Sequence, residues 1–595
     1  MKNRRWLPLA LSFLVSSPLL FFLAHFPQNP DGAEMVMTAL TGGVLHPSGM
    51  PPQAWLNLIF ARLSPSTPGW GLSFFSWLAH AGTCFILLAT LTRLGVQHLA
   101  PRLLAIALYT ANTYVFTMAI QPEKYAQVAC TIALFLFFVV SALRDPDGPR
   151  RQNFWFIALS FSLALSQHTA SVFLAPVLGV VFVSARRRHG LKRSLLWFSE
   201  STVLFAFITS AFYLSLLLLR SKSGWPDWGH LETASEIWQH FVRADFKQGL
   251  VAETQIQPVM INGLEFLKDA LLQWWIALLL LPFGLLSLYR RERSIFFSVV
   301  IALISGCVLL WFAELPSSDA ATARGYGERY PLILLPVLAI LVGLGCADLK
   351  GRWAKPASLI LVLSLGFTAW TGLKRNQATD NELIEIYRRE VAENLPQGAI
   401  LFSTSDFDLF YGFPCGEKTC FPIKNMFGMP WYRERAAGSV DARVPELLRS
   451  FSAENWNYAH FIRRAFHAGY TLASPNGQLF IEITDLRPYL EQRGLVWVVS
   501  RSNKVLYTDE ILKSAMRLCQ SLSARGQTIP QDSQYFAHEV LEKFRMVFQS
   551  AGDHLASGQT PELASRAYGV AQSLQPGQPK ELWADRCAAL LTLMR

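Results

Sequence analysis

Asp31-Gly32-Ala33-Glu34 and, twelve residues beyond the glutamate, His46-Pro47-Ser48-Gly49-Met50-Pro51 are the residues whose types and spacing could do chemistry. If the first stretch begins a helical turn, positions i and i+3 put both carboxylates on one face. Such a pair suits a general base held beside a partner that orients the substrate. The same four residues also fit a helix-capping box, with Asp31 accepting backbone N–H groups and Glu34 reaching back. Glu123 is a second candidate, set in the tight turn Gln121-Pro122-Glu123-Lys124 between two apolar runs. An ionisable group held at a bilayer surface suggests function, although a solvated carboxylate neutralised by Lys124 would explain it as well. His168 lies in Gln167-His168-Thr169, a polar break inside an apolar block. Its alternative is an interfacial histidine satisfied by a backbone carbonyl. Arg324 and Arg329 carry guanidinium groups, which grip phosphate oxygens bidentately. Ion pairs with Glu314, Asp319 or Glu328 are the alternative there.

The elements that position these residues are membrane spans. The 595 residues are 52% hydrophobic and 16% charged, whereas soluble domains carry about a quarter charged residues. Apolar runs of bilayer-crossing length occur at Trp6–Phe26, Leu72–Thr92, Pro101–Ala119, Tyr125–Leu143, Ser194–Leu219, Ala270–Leu288, Ser294–Ala313, Tyr330–Gly345 and Ala357–Leu373. Basic clusters around Arg4, Arg93, Arg144, Arg187, Arg291 and Arg352 fall on one side if Asn153–Ala185 is a hairpin with its tip at Gln167-His168. That gives about eleven spans by the positive-inside rule, with the N-terminus cytoplasmic and the C-terminus outside. Each hairpin arm is about sixteen residues, or roughly 24 Å of helix, so the tip should sit below the outer surface in a polar cavity. The first run is longer than a signal-peptide core and lacks a small-x-small cleavage site, which predicts an uncleaved anchor. The net charge of +11 is then largely an orientation signal and requires no nucleic acid.

The predicted fold is therefore an α-helical polytopic membrane protein with an extracytoplasmic C-terminal α/β plus helical domain. Residues 1–373 form the transmembrane domain, with a first outer loop at 27–71 and a long outer loop at 220–268. Within the first loop, Pro52–Arg62 has apolar spacing suited to an interfacial helix. Residues 374–508 suggest a small α/β domain, with Ala399–Thr404 and Leu495–Val499 as buried strands and Leu479–Ile483 alternating like a half-exposed one. Residues 509–595 look all-helical and weakly tetratricopeptide-like. In an oxidising compartment Cys415 and Cys420 are expected to form a disulfide, a metal pair being the rival reading. Cys519 and Cys587 are a second, less supported pair.

No nucleotide-binding glycine-rich loop, His-Glu-x-x-His or Gly-x-Ser-x-Gly occurs, and no span carries a row of acids. The ordered set Asp31-Gly-Ala-Glu34, Gly43-Val-Leu-His46-Pro-Ser-Gly49-Met-Pro51, Glu123-Lys-Tyr125-Ala, Gln167-His168-Thr169 and Arg329-Tyr330 resembles the bacterial and eukaryotic transmembrane protein O-mannosyltransferase-like family, of the GT-C superfamily. Trp225–Phe246 resembles that family's long outer loop. The likeness covers about Pro27 to Gly345. Ala33 stands where the family usually has glycine, and Gln167-His168 where a paired histidine is common.

The resemblance implies an inverting glycosyltransferase that takes a sugar, for instance mannose, from a polyprenyl-phosphate donor. The acceptor is a hydroxyl on the extracytoplasmic face, that of a protein Ser/Thr, with a glycolipid or polysaccharide as the alternative, and the expected location is a bacterial inner (plasma) membrane. Asp31 would be the general base. Glu34 or Glu123 would position hydroxyls, and Arg324, Arg329 or His168 would stabilise the departing polyprenyl phosphate. His46 joins the substrate-binding set. No cofactor is required on chemical grounds, because the leaving group is already good; a divalent metal stays open. Partners are the lipid-linked donor, membrane lipids, and a protein or glycolipid acceptor. The competing class is a non-enzymatic flippase, transporter or assembly scaffold, disfavoured because the polar candidates lie on outer loops rather than mid-span.

Overall fold

A computed structural model describes residues 6–27, 30–219, 228, 231–242, 277–312, 334–349, 354–376, 383–396, 399–402, 420–421, 458–475, 478–501, 508–523, 535–558, 560–574 and 580–594. Arg324, Arg329 and Cys415 lie outside these residues, as does the side chain of Cys420, so the predicted phosphate-gripping arginines and the Cys415–Cys420 pair fall there too.

The first apolar run is not one straight helix. α1 (Leu7–Ser16) gives way to a 3-10 turn over Ser17–Phe22, where Pro18 lacks the N–H that would continue the ladder. The predicted outer loop then folds into two helices, α2 (Pro30–Thr41) and α3 (Pro51–Ala61). Gln53, Ala54 and Asn57 face inward from α3, while Trp55, Leu56 and Ile59 are exposed. That is the apolar outer face expected of an interfacial helix.

Among the described residues, four helices are long and apolar enough to cross a membrane: Pro68–Arg93 (α4), Tyr125–Leu143 (α7), Thr169–His189 and Leu191–Leu219. A fifth candidate is broken. α5 (Leu99–Ala111) and α6 (Thr113–Ile120) meet at 69°, where the Asn112 side chain accepts from the N–H groups of Tyr114 and Val115 and so starts a new helix. α8 (Arg151–Gln167) ends at His168, which is extended, and the chain returns through a 3-10 turn (Thr169–Leu174) into α9 (Pro176–His189). α10 (Leu191–Leu214) exposes Leu195, Leu196, Val203 and Phe207 while burying Ser194 and Ser201. Small polar residues inside and large apolar ones outside are the arrangement of a helix facing lipid.

Past the last apolar helix, Ala354–Asn376, a mixed sheet of five strands runs in the order β2-β1-β3-β5-β4. The strands are β1 (Ile400–Phe402), β2 (Cys420–Phe421), β3 (Leu472–Ser474), β4 (Leu490–Arg493) and β5 (Val496–Val499). β1 lies parallel to β2 and β3, whereas β5 is antiparallel to β3 and β4. The alternation over Leu479–Ile483 misleads: Gln478–Ile481 is a short helix. Leu479 and Phe480 reach the core from it and Ile483 from the bend just beyond, a spacing of one and four residues that suits a helical face better than a strand. Helices Thr508–Ser523, Tyr535–Ser557, Pro561–Ser573 and Lys580–Met594 complete the chain, and Cys519 and Cys587 are joined in a disulfide between the first and last of them.

Candidate active site

Asp31 and Glu34 both lie on α2, Asp31 in its first turn. Pro30 opens the helix, so Asp31 stands inside it rather than in front of it as a cap. Proline is favoured at a helix start because its missing N–H would be unpaired there anyway. The negative charge of Asp31 also suits the helix N-terminus. Downstream, the His46–Met50 loop reverses tightly. The Gly49 N–H donates to the His46 carbonyl at 2.7 Å, and Gly49 and Met50 take φ of +77° and +43°. The reversal returns His46 to Glu34. Its backbone N–H donates to Glu34 Oε1 at 2.6 Å, and its ring Nδ1 meets Oε2.

The neighbour on the other side is Lys124, at the head of α7. Its Nζ donates to Asp31 Oδ2 at 2.8 Å and lies 3.1 Å from His46 Nε2. An ammonium has no acceptor site, so Nε2 receives that bond; the ring proton then sits on Nδ1 and is donated to Glu34. The result is one polar chain, Glu34–His46–Lys124–Asp31, tying α2, the loop and α7 together. Trp228, in the predicted long outer loop, lies beside it. Its backbone N–H donates to the Val44 carbonyl at 3.1 Å, and its ring stands edge-on to His46 at 6.2 Å.

Exposure separates the carboxylates. The Asp31 side chain is 16% exposed and that of Glu34 1%, while Glu123 is wholly buried. Glu123 is therefore no solvated loop acid, and the cation expected to neutralise it pairs with Asp31 instead. Its Oε2 accepts the backbone N–H of Lys124 at 3.1 Å, and Ser76 Oγ donates to its carbonyl at 3.0 Å. Glu123 thus fixes the turn that aims Lys124.

His168 is buried, with Nδ1 accepting the Ala170 N–H at 3.2 Å. It reaches the cluster through Tyr125: the rings are 5.8 Å apart, and Lys124 Nζ lies 5.3 Å from the Tyr125 ring centroid. Gln167 behind it donates to Gln53 Oε1 at 2.7 Å, and Gln53 donates to Asn57 Oδ1 at 2.7 Å, a relay from α8 to α3. Of the two readings of Glu123, the solvated acid neutralised by Lys124 fails on its burial, and Lys124 donates to Asp31; the part played by Gln53 was not foreseen. The polar Gln53 and Asn57 on the otherwise apolar α3 were the available signal.

Asp31, Glu34 and His46 offer ligand atoms within 4.8 Å of one another, a set able to hold a metal ion. Lys124 already lies against two of these three residues. Its fixed positive charge supplies locally what an ion would supply, and a divalent cation would have to compete with it.

Residues 31–190, which contain all of these groups except Trp228, match the family described as the protein O-mannosyl-transferase TMEM260 N-terminal domain. The chain is 22% identical over 444 residues to the protein O-mannosyl-transferase tmem260 of Dictyostelium discoideum, covering 66% of this chain. It spans about half, 53%, of that relative's length. Two crystal structures of ArnT from Cupriavidus metallidurans share the fold at 14% identity and a TM-score of 0.51. The apo state covers 83% of this chain and 97% of its own; the state bound to undecaprenyl phosphate covers 84% and 99%. Over residues 31–190 the chain is thus similar in sequence to the N-terminal domain of TMEM260-type protein O-mannosyl-transferases, and over most of its length it shares the fold of ArnT.

Proposed function

We propose that this protein is a multi-pass membrane glycosyltransferase of the GT-C type, moving mannose from a polyprenyl-phosphate donor to a protein Ser/Thr hydroxyl. The reaction runs on the extracytoplasmic face of a bacterial inner membrane, with the N-terminus inside and the C-terminal domain outside. The names of its relatives support the sugar and the acceptor, and the undecaprenyl phosphate of one ArnT structure supports the donor class.

The observation that carries the reading is the graded exposure of the carboxylates. Asp31 alone of the three is open on one side, and Lys124 holds its Oδ2. The Asp31 carboxylate takes the proton of the acceptor hydroxyl. The acceptor oxygen bonds to the anomeric carbon as the bond from that carbon to the phosphate oxygen breaks, with inversion. The electron pair leaves on the polyprenyl phosphate. Lys124 positions the base and presents positive charge toward the phosphate. Glu34 and His46 hold Lys124 in place, and no metal is called for.

The test is transfer of labelled mannose from polyprenyl-phosphate mannose to a Ser/Thr peptide by purified Asp31→Asn protein. General-base removal should lower the rate about 10²- to 10⁴-fold while thermal stability and membrane insertion stay as in the wild type. Wild-type turnover by Asp31→Asn would overturn the mechanism, and no transfer by the wild type itself would overturn the activity.

A further inference from the structure

The helical tail holds a cavity of about 750 Å³ that the chemistry at Asp31 does not use. Its walls come from helix Tyr535–Ser557, helix Pro561–Ser573 and Arg586 of the last helix. Arg545, Gln549 and Ala556 line one side and Ser565, Tyr568 and Gln572 the other, so each wall is one helical face at spacings of three, four and seven residues. Gly552 lets the two helices close at the floor: a Cβ there would lie 2.6 Å from the Tyr568 ring. The Tyr568 hydroxyl donates to Asp553 Oδ1 at 2.6 Å and fixes the ring.

The cavity's charge is one-sided. Among the described residues, Arg545 and Arg586 line it and no carboxylate does. Arg586 donates to the Gly569 carbonyl and is held in place. Glu542 takes one terminal nitrogen of Arg545 from outside, while Arg545 Nε is buried without a partner. The Arg545 side chain keeps 30% of its surface exposed, so a ligand carboxylate can meet its terminal nitrogens from the cavity. From Arg545 to Ala556 the wall runs eleven residues, roughly 16 Å at helical rise. That spans about five residues of extended chain.

We propose that this groove binds an extended acidic peptide segment of the protein acceptor. Aspartate or glutamate side chains meet Arg545 and Arg586, while the carboxamides of Gln549 and Gln572 pair with the peptide backbone. This rests on the reading of the protein as a transferase with a protein acceptor, and it names the acceptor's chemistry: a substrate carrying a short acidic stretch away from its Ser/Thr site.

The experiment measures binding of a rhodamine-labelled peptide of alternating Asp and Glu to the full-length protein in nanodiscs. The catalytically impaired Asp31→Asn protein is measured alongside, so that binding is read apart from turnover. The expected result is equal binding by both, at least fivefold weaker at about 300 mM than at about 50 mM salt. Arg545→Gln should weaken it about tenfold with an unchanged melting temperature. Glu542→Gln, which frees the guanidinium, should strengthen it. Absence of binding to the wild type, equal binding of a Lys-rich peptide, or wild-type affinity in Arg545→Gln would each overturn the proposal. So would preferential capture of an anionic glycan in place of the peptide. Peptide binding without any mannose transfer would keep this site and overturn the transferase reading instead.

Discussion

At the residue scale the decisive group is Lys124. It lies within hydrogen-bond distance of Asp31 and His46 and stands where a metal would otherwise gather the acidic cluster. Three outcomes follow. Mannose transfer by the wild type should be unchanged after exhaustive chelation with EDTA; a loss restored by one divalent ion would show that a metal takes part. Replacing the ammonium in Lys124→Met should cut transfer about 10²-fold or more, because Asp31 loses the charge that orients it. The smaller Lys124→Ser variant should gain a divalent-ion site from the same three residues, read by calorimetric titration with Mn²⁺. If calorimetry detects no binding, these residues are not arranged to hold an ion once the lysine is gone.

At the element scale the site depends on a loop that reverses between two helices. Gly49 has φ +77°, and a Cβ there would lie 2.8 Å from Leu216 and 2.9 Å from His240. A side chain in that conformation costs roughly 1–2 kcal/mol before any clash. Gly49→Ala should therefore displace His46 from Glu34 and lower kcat at least tenfold, while the apolar helices still insert. Normal kcat in that variant would mean the loop tolerates another path. α8 and α9 matter in the same way. Their break at His168 brings Gln167 to Gln53 and so ties the hairpin to the helix that follows the loop.

At the scale of the whole molecule, the C-terminal part has its own ionic joint. Glu390, buried on helix Leu383–Asn394, accepts from Arg517 Nε at 3.1 Å and from Ser514 Oγ at 3.2 Å. Burial raises the Glu390 carboxyl above its ordinary range, and Arg517 pulls it back. A raised carboxyl means the folded protein holds the proton to higher pH than the unfolded chain. Stability from this group is thus greatest in acid and falls as pH rises through the folded value. Arg517→Met removes the opposing pull and strands the charge, at a cost of about 3 kcal/mol near neutrality. The melting-temperature gap between wild type and Arg517→Met should widen from about pH 5 to about pH 8. A gap that stays constant with pH would mean Glu390 is not the group left unpaired.

That Asp31, Glu34 and His46 come together was legible in the sequence because the pieces are local. Asp31 and Glu34 are three positions apart on one short helix, and the proline and glycines after His46 announce a tight turn. Apolar length foretold the long helices at Pro68–Arg93, Tyr125–Leu143 and Leu191–Leu219 but not the breaks at Ser17 and Asn112, and the Gln167-His168 break foretold the turn between α8 and α9. The alternation at Leu479–Ile483 failed because burial against the sheet, rather than local pattern, decided that segment. Tertiary structure alone decided that Lys124 serves Asp31 and not its neighbour Glu123, across 93 residues of chain. It also decided that Asp31 stays open while Glu34 and Glu123 are buried. Charge pairing and exposure are set by which helices meet, and no spacing along the chain records that.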